Sequence, residues 1–398
     1  MTLRSEIAAL LDHRGRGPGT DAERRAANHL RARLEAMGRD AHIEPIIVRP
    51  EWTQVLILHA LLGVAASLGS VFAPTAATIL AFAVLSSALA YLTGFSTLGA
   101  ALSPRRASQN VVSVERTGKP GTLFLLAHYD SSRNGGLLAR ALGPIEALAG
   151  RLRIGPGGFF VLAVFVIFAC CGLRSLEFAG PVLAAAQFVP TAMMLLGAAA
   201  LTDGRTSDFV PGANDNASGV ALTLALAQRF GGRLEHFDLA VLLTGAHEGL
   251  ALGARLWARR HHRGFDKRST IFLNLDAVGH GDPAFAIREG VMFPSSTNST
   301  LIGICESLGD KTSDSPPRRI TRAVPSDAAA LRERGYPALT LTAIDERGRN
   351  PHRHLVSDLA EAIDGRTLER SERLAVALIE RIDTEIGPRL AASAAPGS

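Results

Sequence analysis

The sequence predicts an α/β protein: a mixed, mostly parallel central sheet with helices on both faces, interrupted by two transmembrane helical hairpins. Three observations lead there. Strand-like apolar runs alternate with helix-like runs through the charged parts of the chain, the pattern of a layered α/β fold. Two long stretches are almost free of charge. Segments carrying His, Asp and Glu recur just after the strand-like runs, at the edge where open α/β sheets bind ligands. The mean hydropathy of +0.17 with 20% charged residues is too apolar for an ordinary soluble enzyme. The excess sits in the two stretches, as in a globular domain that carries membrane segments.

The elements follow in order. Thr20-Asp21-Ala22-Glu23 has capping-box spacing and opens a helix with Ala26, Leu30, Leu34 and Met37 on its apolar face. Gly38 closes that helix, and Ile43 to Val48 reads as a strand. The first apolar block, Val55 to Leu102, holds no charged residue and is broken at Ala73-Pro74-Thr75. Each half is long enough to cross a hydrocarbon core of roughly 30 Å. Trp52 and Arg105-Arg106 flank it as interfacial anchors. Asn110 to Glu115 and Thr122 to Ala127 are strand-like runs around the turn Gly118-Lys119-Pro120-Gly121. The second apolar block, Gly157 to Leu201, is split by Arg174-Ser175-Leu176-Glu177. Beyond it, Ser218 to Arg229 and Glu248 to Arg260 read as helices; Asp238 to Thr244, Thr270 to Leu275 and Ala338 to Thr342 read as strands.

Hairpins return the chain to the side it left. The expected organisation is therefore a discontinuous domain of residues 1–50, 103–153 and 202–398, with membrane hairpins at 53–102 and 154–201. Arg105-Arg106 and the Arg151/Arg153 pair border the membrane on the side of this domain. The positive-inside rule then predicts a multi-pass protein of the cytoplasmic membrane with its catalytic part in the cytoplasm. The N-terminus, MTLRSEIAALLDHRGRG, holds no apolar core of signal-peptide length.

The net charge of +5 comes mostly from arginine. No basic run is interleaved with aromatics and no glycine-rich phosphate loop is present, which argues against a nucleic-acid partner. A basic surface suits anionic lipid instead. The three cysteines, Cys170, Cys171 and Cys305, form neither a disulfide framework nor a thiolate zinc site, as expected in a reducing compartment.

Five segments carry chemistry. In TLFLLAHYDSS, His128 follows a buried strand, and Asp130, two residues on, lies on the same face as a natural orienting partner for a metal-bound imidazole. In PGANDNASGVAL, Asp215 sits in a turn before a helix of small residues. In VLLTGAHEGLALGARLW, His247 and Glu248 follow a strand of Leu, Val and Ala, where two ionisable groups are costly to bury unless they pair or bind metal. Asp276 ends the strand of IFLNLDAVGHGD, and NPHRHLVSDLAEAID supplies His354 with Asp358 four residues on. His128, Asp215, Glu248, Asp276 and His354 form a set of imidazoles and carboxylates without thiolate, suited to a catalytic pair of zinc ions. Such ions share a bridging carboxylate and a bridging water and lie about 3.5–4 Å apart.

This ordered series (HYD, GANDNASGV, the acidic segment, NLD and H-x-x-x-D) resembles the co-catalytic di-zinc aminopeptidases, including bacterial leucyl aminopeptidases and glutamate carboxypeptidase-like enzymes. The likeness runs from about Gly15 to Asp364, with the membrane hairpins as insertions. It implies that Asp215 bridges two zinc ions, that His128 and Asp276 complete one site, and that Glu248 and His354 complete the other. It also implies a cis peptide at Asp215-Asn216, a supporting role for Asp130, and a pocket-shaping segment around Asp327. One position departs: where the family has two consecutive Glu residues, the first being the general base, this chain has His247-Glu248. An imidazole with an ordinary pKa of about 6.5 suits a base. A further metal ligand, or weakened hydrolysis, are the other readings of His247.

The function expected is a zinc metallopeptidase, an aminopeptidase acting on short peptides, with membrane lipid as its other partner. A different zinc amidohydrolase or acyltransferase, such as a deacylase or a glutaminyl-cyclase-like enzyme, and a non-catalytic metal-binding membrane protein are the alternatives.

Overall fold

The computed structural model describes residues 2–95, 97–136, 154–309 and 316–394. Arg151 and Arg153 therefore lie outside the described residues. The described part contains a nine-stranded mixed sheet ordered β1-β2-β4-β3-β5-β9-β6-β7, with β8 beside β6. The strands are β1 (His42–Val48), β2 (Arg106–Val114), β3 (Gly121–His128), β4 (Phe237–Thr244), β5 (Thr270–Leu275), β6 (Asp282–Glu289), β7 (Ser295–Ser296), β8 (Arg318–Arg322) and β9 (Ala338–Ile344). The centre, β4-β3-β5-β9, is parallel. Its strands are mostly apolar and almost wholly buried because both faces are covered.

Alternate residues enter two different cores. Leu123, Leu125, Leu239, Val241 and Leu273 pack under the helices Leu3–Leu11, Asp21–Ala36, Gly219–Phe230 and Gly365–Arg381. Phe124, Leu126, Ala240, Leu242 and Phe272 face the opposite way, against Trp257 and Leu331 of the helices Leu252–His261 and Asp327–Arg332.

Four helices are long and apolar enough to cross a membrane: Trp52–Gly69, Pro74–Leu92, Pro156–Ser175 and Pro181–Thr206. They share their own core, with Ala60, Val64, Ala81, Val84, Val164 and Ile167 at its centre. Buried Gln187 is satisfied there, donating to the Ser67 carbonyl at 2.6 Å and accepting from Arg174 at 2.8 Å. Leu61, Phe82, Phe165, Phe188 and Leu196 point outward into what lipid would fill. The first pair is the connection of a β-hairpin, since Val48 at the end of β1 pairs with Arg106 at the start of β2. The second pair lies between β3 and the Gly219–Phe230 helix that leads to β4.

The structure departs from the expected elements at informative places. The helix expected from Glu248 is a short 3₁₀ turn, His247–Gly249, followed by a helix that starts only at Leu252. Ala246, Leu250 and Ala251 take left-handed backbone conformations around it. The capping box at Thr20 is half formed. The Thr20 hydroxyl accepts from the Glu23 amide at 3.1 Å, but the Glu23 carboxylate is used elsewhere. Strand β8, Arg-Arg-Ile-Thr-Arg, is too charged to read as a strand. It forms because its last arginine finds buried carboxylate partners.

Candidate metal centre

The parallel strands aim their C-terminal ends at one place. His128 ends β3, the His247-Glu248 turn follows β4 by two residues, and Asp276 follows β5 directly. Asp215 reaches the same place from the turn before the Gly219–Phe230 helix, and His354 from the loop after β9. The Asp215-Asn216 peptide is cis. The Asn216 side chain donates to the Leu275 carbonyl at 2.8 Å and accepts from the Ala277 amide at 2.9 Å, tying that turn to the end of β5. The Asp358 carboxylate accepts from the Asn214 and Asp215 amides at 2.7 and 3.0 Å.

Four expected ligands converge. One ligand atom each from His128, Asp215 and Glu248 lies within 4.8 Å of the others. His354 Nε2 is 3.4 Å from both Asp215 Oδ2 and Glu248 Oε2, and His128 Nε2 is 3.3 Å from Asp215 Oδ1. These groups are close without being hydrogen bonded. His128 Nε2, Glu248 Oε1 and His354 Nε2 are buried polar atoms lacking any hydrogen-bond partner. Unpartnered donors of this kind, aimed at one point, fit a cation. Carboxylate and imidazole are the ligand types zinc takes in catalytic sites, so the residues present fit zinc.

The electrostatics agree. Burial works to raise Asp215, but His128, Arg353 and His354 hold it well below the usual carboxylate range. Burial likewise opposes ionisation of Glu248, and His354 outweighs it. For His128 burial favours the neutral ring, yet Asp130 and Asp215 raise its pKa well above the ordinary value. The centre thus keeps its carboxylates ionised and gathers positive charge beside them.

Asp276 is placed differently. Its Oδ2 accepts from Arg322 Nη1 at 2.7 Å, and the same nitrogen lies 3.3 Å from buried Glu289. Burial would raise the Asp276 pKa, and Arg322 lowers it. Asp276 is near enough to feel Asp215 and His128, but its carboxylate is engaged by arginine and lies outside the cluster of His128, Asp215 and Glu248.

His247 does not point at the cluster with Nδ1. That atom lies 2.9 Å from Asp327 Oδ1, and the imidazole stacks on His128 with ring centres 3.9 Å apart and planes 8° from parallel. Burial and His128 lower the His247 pKa, but Asp327 outweighs them, and the net shift is upward. Asp130 Oδ1 lies 3.5 Å from Nδ1 of His128, the ring it is expected to orient, and Asp130 has a further job as well. His128 Nδ1 pairs with the Asp130 backbone carbonyl at 3.2 Å, while the Asp130 carboxylate accepts from the His247 and Glu248 amides at 3.1 and 3.0 Å. Asp130 fixes the turn that presents both residues.

Sequence reasoning missed several supporting residues. Fully buried Arg16 donates to the carbonyls of Tyr129, Pro211 and Gly212, each at 2.8 Å, joining the His128 and Asp215 segments. Buried Glu23 accepts from Ala246, Ser108 and Gly19. Burial, then the nearby Asp130, pushes its pKa up to about 8. Arg322 approaches the cluster from a region without a recognisable motif, and Arg353 stands beside His354 in the NPHRH segment, where only His354 was singled out. The only available signal was that Arg16 and Glu23 both lie in the segment GRGPGTDAERRAANHL.

Residues 197–379 match the family described as Peptidase family M28. No curated protein sequence matches the chain. Among solved structures it is similar to a glutaminyl cyclase from Bacteroides thetaiotaomicron (14% identity, 95% of this chain and 96% of that one, TM-score 0.57). It is also similar to a Zn-dependent exopeptidase from Parabacteroides distasonis (14% identity, 95% and 96%, TM-score 0.56). A leucine aminopeptidase precursor from Bacteroides thetaiotaomicron compares alike (14% identity, 95% of each chain, TM-score 0.55). The fold is thus a mixed α/β sheet like that of these zinc-dependent exopeptidase and cyclase structures. The segment that matches the M28 peptidase family, residues 197–379, includes Asp215, Glu248, Asp276 and His354.

Proposed function

We propose that the chain is a membrane-embedded zinc metallopeptidase acting as an aminopeptidase. The observation that carries this reading is the convergence of His128, Asp215, Glu248 and His354 with unpartnered atoms facing one another. Those four residues would hold zinc, and Asp276 would join a second site if Arg322 yields it. Zinc, when bound, lowers the pKa of water and polarises a carbonyl. His247 handles the proton: Asp327 fixes Nδ1 as the donor, which leaves Nε2 to accept a proton from water and return it to the departing amine. Asp130 holds the backbone of His247 and Glu248 in place. The four apolar helices would anchor the chain as two hairpins, with the discontinuous domain on the cytoplasmic side as the flanking arginines suggest.

The test is to purify the full-length chain, count zinc per chain, and assay aminoacyl and dipeptide substrates. Zinc-dependent release of N-terminal residues is the expected result. A zinc-loaded protein that hydrolyses no peptide overturns the reading. A glutaminyl-cyclase-like reaction is the second reading, favoured by the Arg322 clasp on Asp276, which leaves one compact ligand cluster instead of two. A single zinc per chain with conversion of N-terminal glutaminyl peptides, and no hydrolysis, would establish it.

A further inference from the structure

The ends of all four apolar helices come down around the metal centre. The first begins at Trp52, and Pro50 just before it packs on the turn that carries Glu248: a methyl group on Gly249 would lie 3.1 Å from the Pro50 Cα. The second ends at Leu92, and a methyl on Gly94 would lie 2.6 Å from Arg255 Nη1, whose Nε donates to the Leu250 carbonyl of that same turn. The third begins at Pro156, and Gly155 and Gly157 donate to the Met292 and Val291 carbonyls at 2.9 and 3.2 Å, next to Gly290, whose amide bonds the Arg322 carbonyl. The fourth ends at Thr206. Its continuation bonds the strand end that carries His128 (Asn134 amide to Asp208, Val210 amide to Ser132) and reaches Asp215 nine residues on.

The sheet topology explains this. β2 runs antiparallel to β4, so the connection between β1 and β2 leaves from the C-terminal edge of β4, the edge that bears the centre. The connection after β3 leaves from that edge too. Exposed apolar side chains lie nearby: Val356 and Leu359, on the His354 loop, are 56% and 44% exposed, and Phe293, beside the third helix, is 67% exposed.

We propose that the centre faces the bilayer and that its substrates are peptides seated in the membrane by an apolar segment, with the scissile bond a few residues from the lipid surface. This rests on the peptidase reading above and adds the substrate class. Membrane seating also concentrates the peptide at the site, since surface attachment turns a bimolecular encounter into a nearly intramolecular one.

The test uses the full-length zinc-loaded chain in phosphatidylcholine vesicles containing phosphatidylglycerol. One peptide sequence is offered in water and also attached to a lipid-inserted apolar helix through spacers of different length. Cleavage of the peptide on a spacer of three or four residues, reaching roughly 10–14 Å, at about tenfold or more the kcat/KM of the soluble peptide is expected. An independent readout follows from the three native cysteines all being buried. A fluorophore on Val356→Cys should be quenched by nitroxide-labelled lipid headgroups, and one on Arg116→Cys, at the opposite end of the sheet, should not. The proposal is overturned, with the peptidase reading intact, if the soluble peptide and spacers of ten or more residues, roughly 35 Å, are cleaved while short spacers resist. Equal quenching at both labelled positions overturns it as well. If no peptide in any form is cleaved, the peptidase reading itself fails and the substrate class falls with it.

Discussion

Nδ1 of His247 lies 2.9 Å from Oδ1 of Asp327, and Asp327 Oδ2 accepts in turn from the Thr244 hydroxyl. The pair is fully buried. A carboxylate held on one nitrogen selects the tautomer of the ring and leaves the other nitrogen for a reacting proton. This is the arrangement of an imidazole base with its orienting acid, standing where the resemblance implied a glutamate.

Replacing His247 with Gln should therefore lower kcat by about 10²–10⁴-fold, the usual contribution of a positioned base, while zinc content stays the same. Asp327→Asn should lower kcat with little change in KM, because the amide cannot hold the same tautomer. If zinc-loaded wild-type protein is inert and His247→Glu turns over peptide, the base assignment is wrong.

The ligand set makes a different prediction. His128→Ala, Asp215→Asn, Glu248→Gln and His354→Ala should each weaken zinc retention in competition with a chelator. His247→Gln, whose Nδ1 faces Asp327, should not. Equal zinc retention in Glu248→Gln and wild type would remove Glu248 from the set.

The Arg322–Asp276 pair predicts a linkage between stability and metal. Arg322→Met leaves the buried Asp276 and Glu289 carboxylates short of their shared cation, and removing one partner of a buried ion pair typically costs about 3–5 kcal/mol. Zinc binding to the freed Asp276 should recover part of that loss. The expected result is a Tm well below wild type without metal and a larger rise in Tm on adding zinc.

Glu23 predicts a pH dependence. Its pKa is raised from the ordinary value to about 8 by burial first and Asp130 second. A carboxyl whose folded pKa is raised contributes its stability fully below the unfolded value of about 4.5 and loses it as pH rises through the folded value. Wild type should then lose Tm relative to Glu23→Gln between pH 5 and 9, on the order of a few kcal/mol at most. A Tm difference that is flat over this window would show that Glu23 is already ionised at pH 5.

Much of the fold was legible before any coordinates. The apolar blocks announce helices long and apolar enough to cross a membrane, and four such helices are present, although the second stops at Leu92 while the apolar block runs on to Leu102. The strands β3, β4, β5 and β9 read through because residues buried on both faces must be apolar. Strand β8 did not, since its arginines are satisfied only by partners far along the chain. The start of the 248 helix was misread because left-handed backbone at Ala246, Leu250 and Ala251 leaves no trace in residue type.

The sequence by itself determined the α/β class, the four apolar helices and the ordered ligand motifs, because periodicity, run length and short-range spacing are local properties. Only the tertiary structure decided that Asp327 faces His247, that Asp130 holds the His247-Glu248 turn besides facing the His128 ring, that Arg322 clasps Asp276, and that one end of each of the four long apolar helices packs on segments next to the candidate ligands. Each of these joins residues dozens to hundreds of positions apart. The sheet order brings such residues together, and no local pattern in the chain encodes that order.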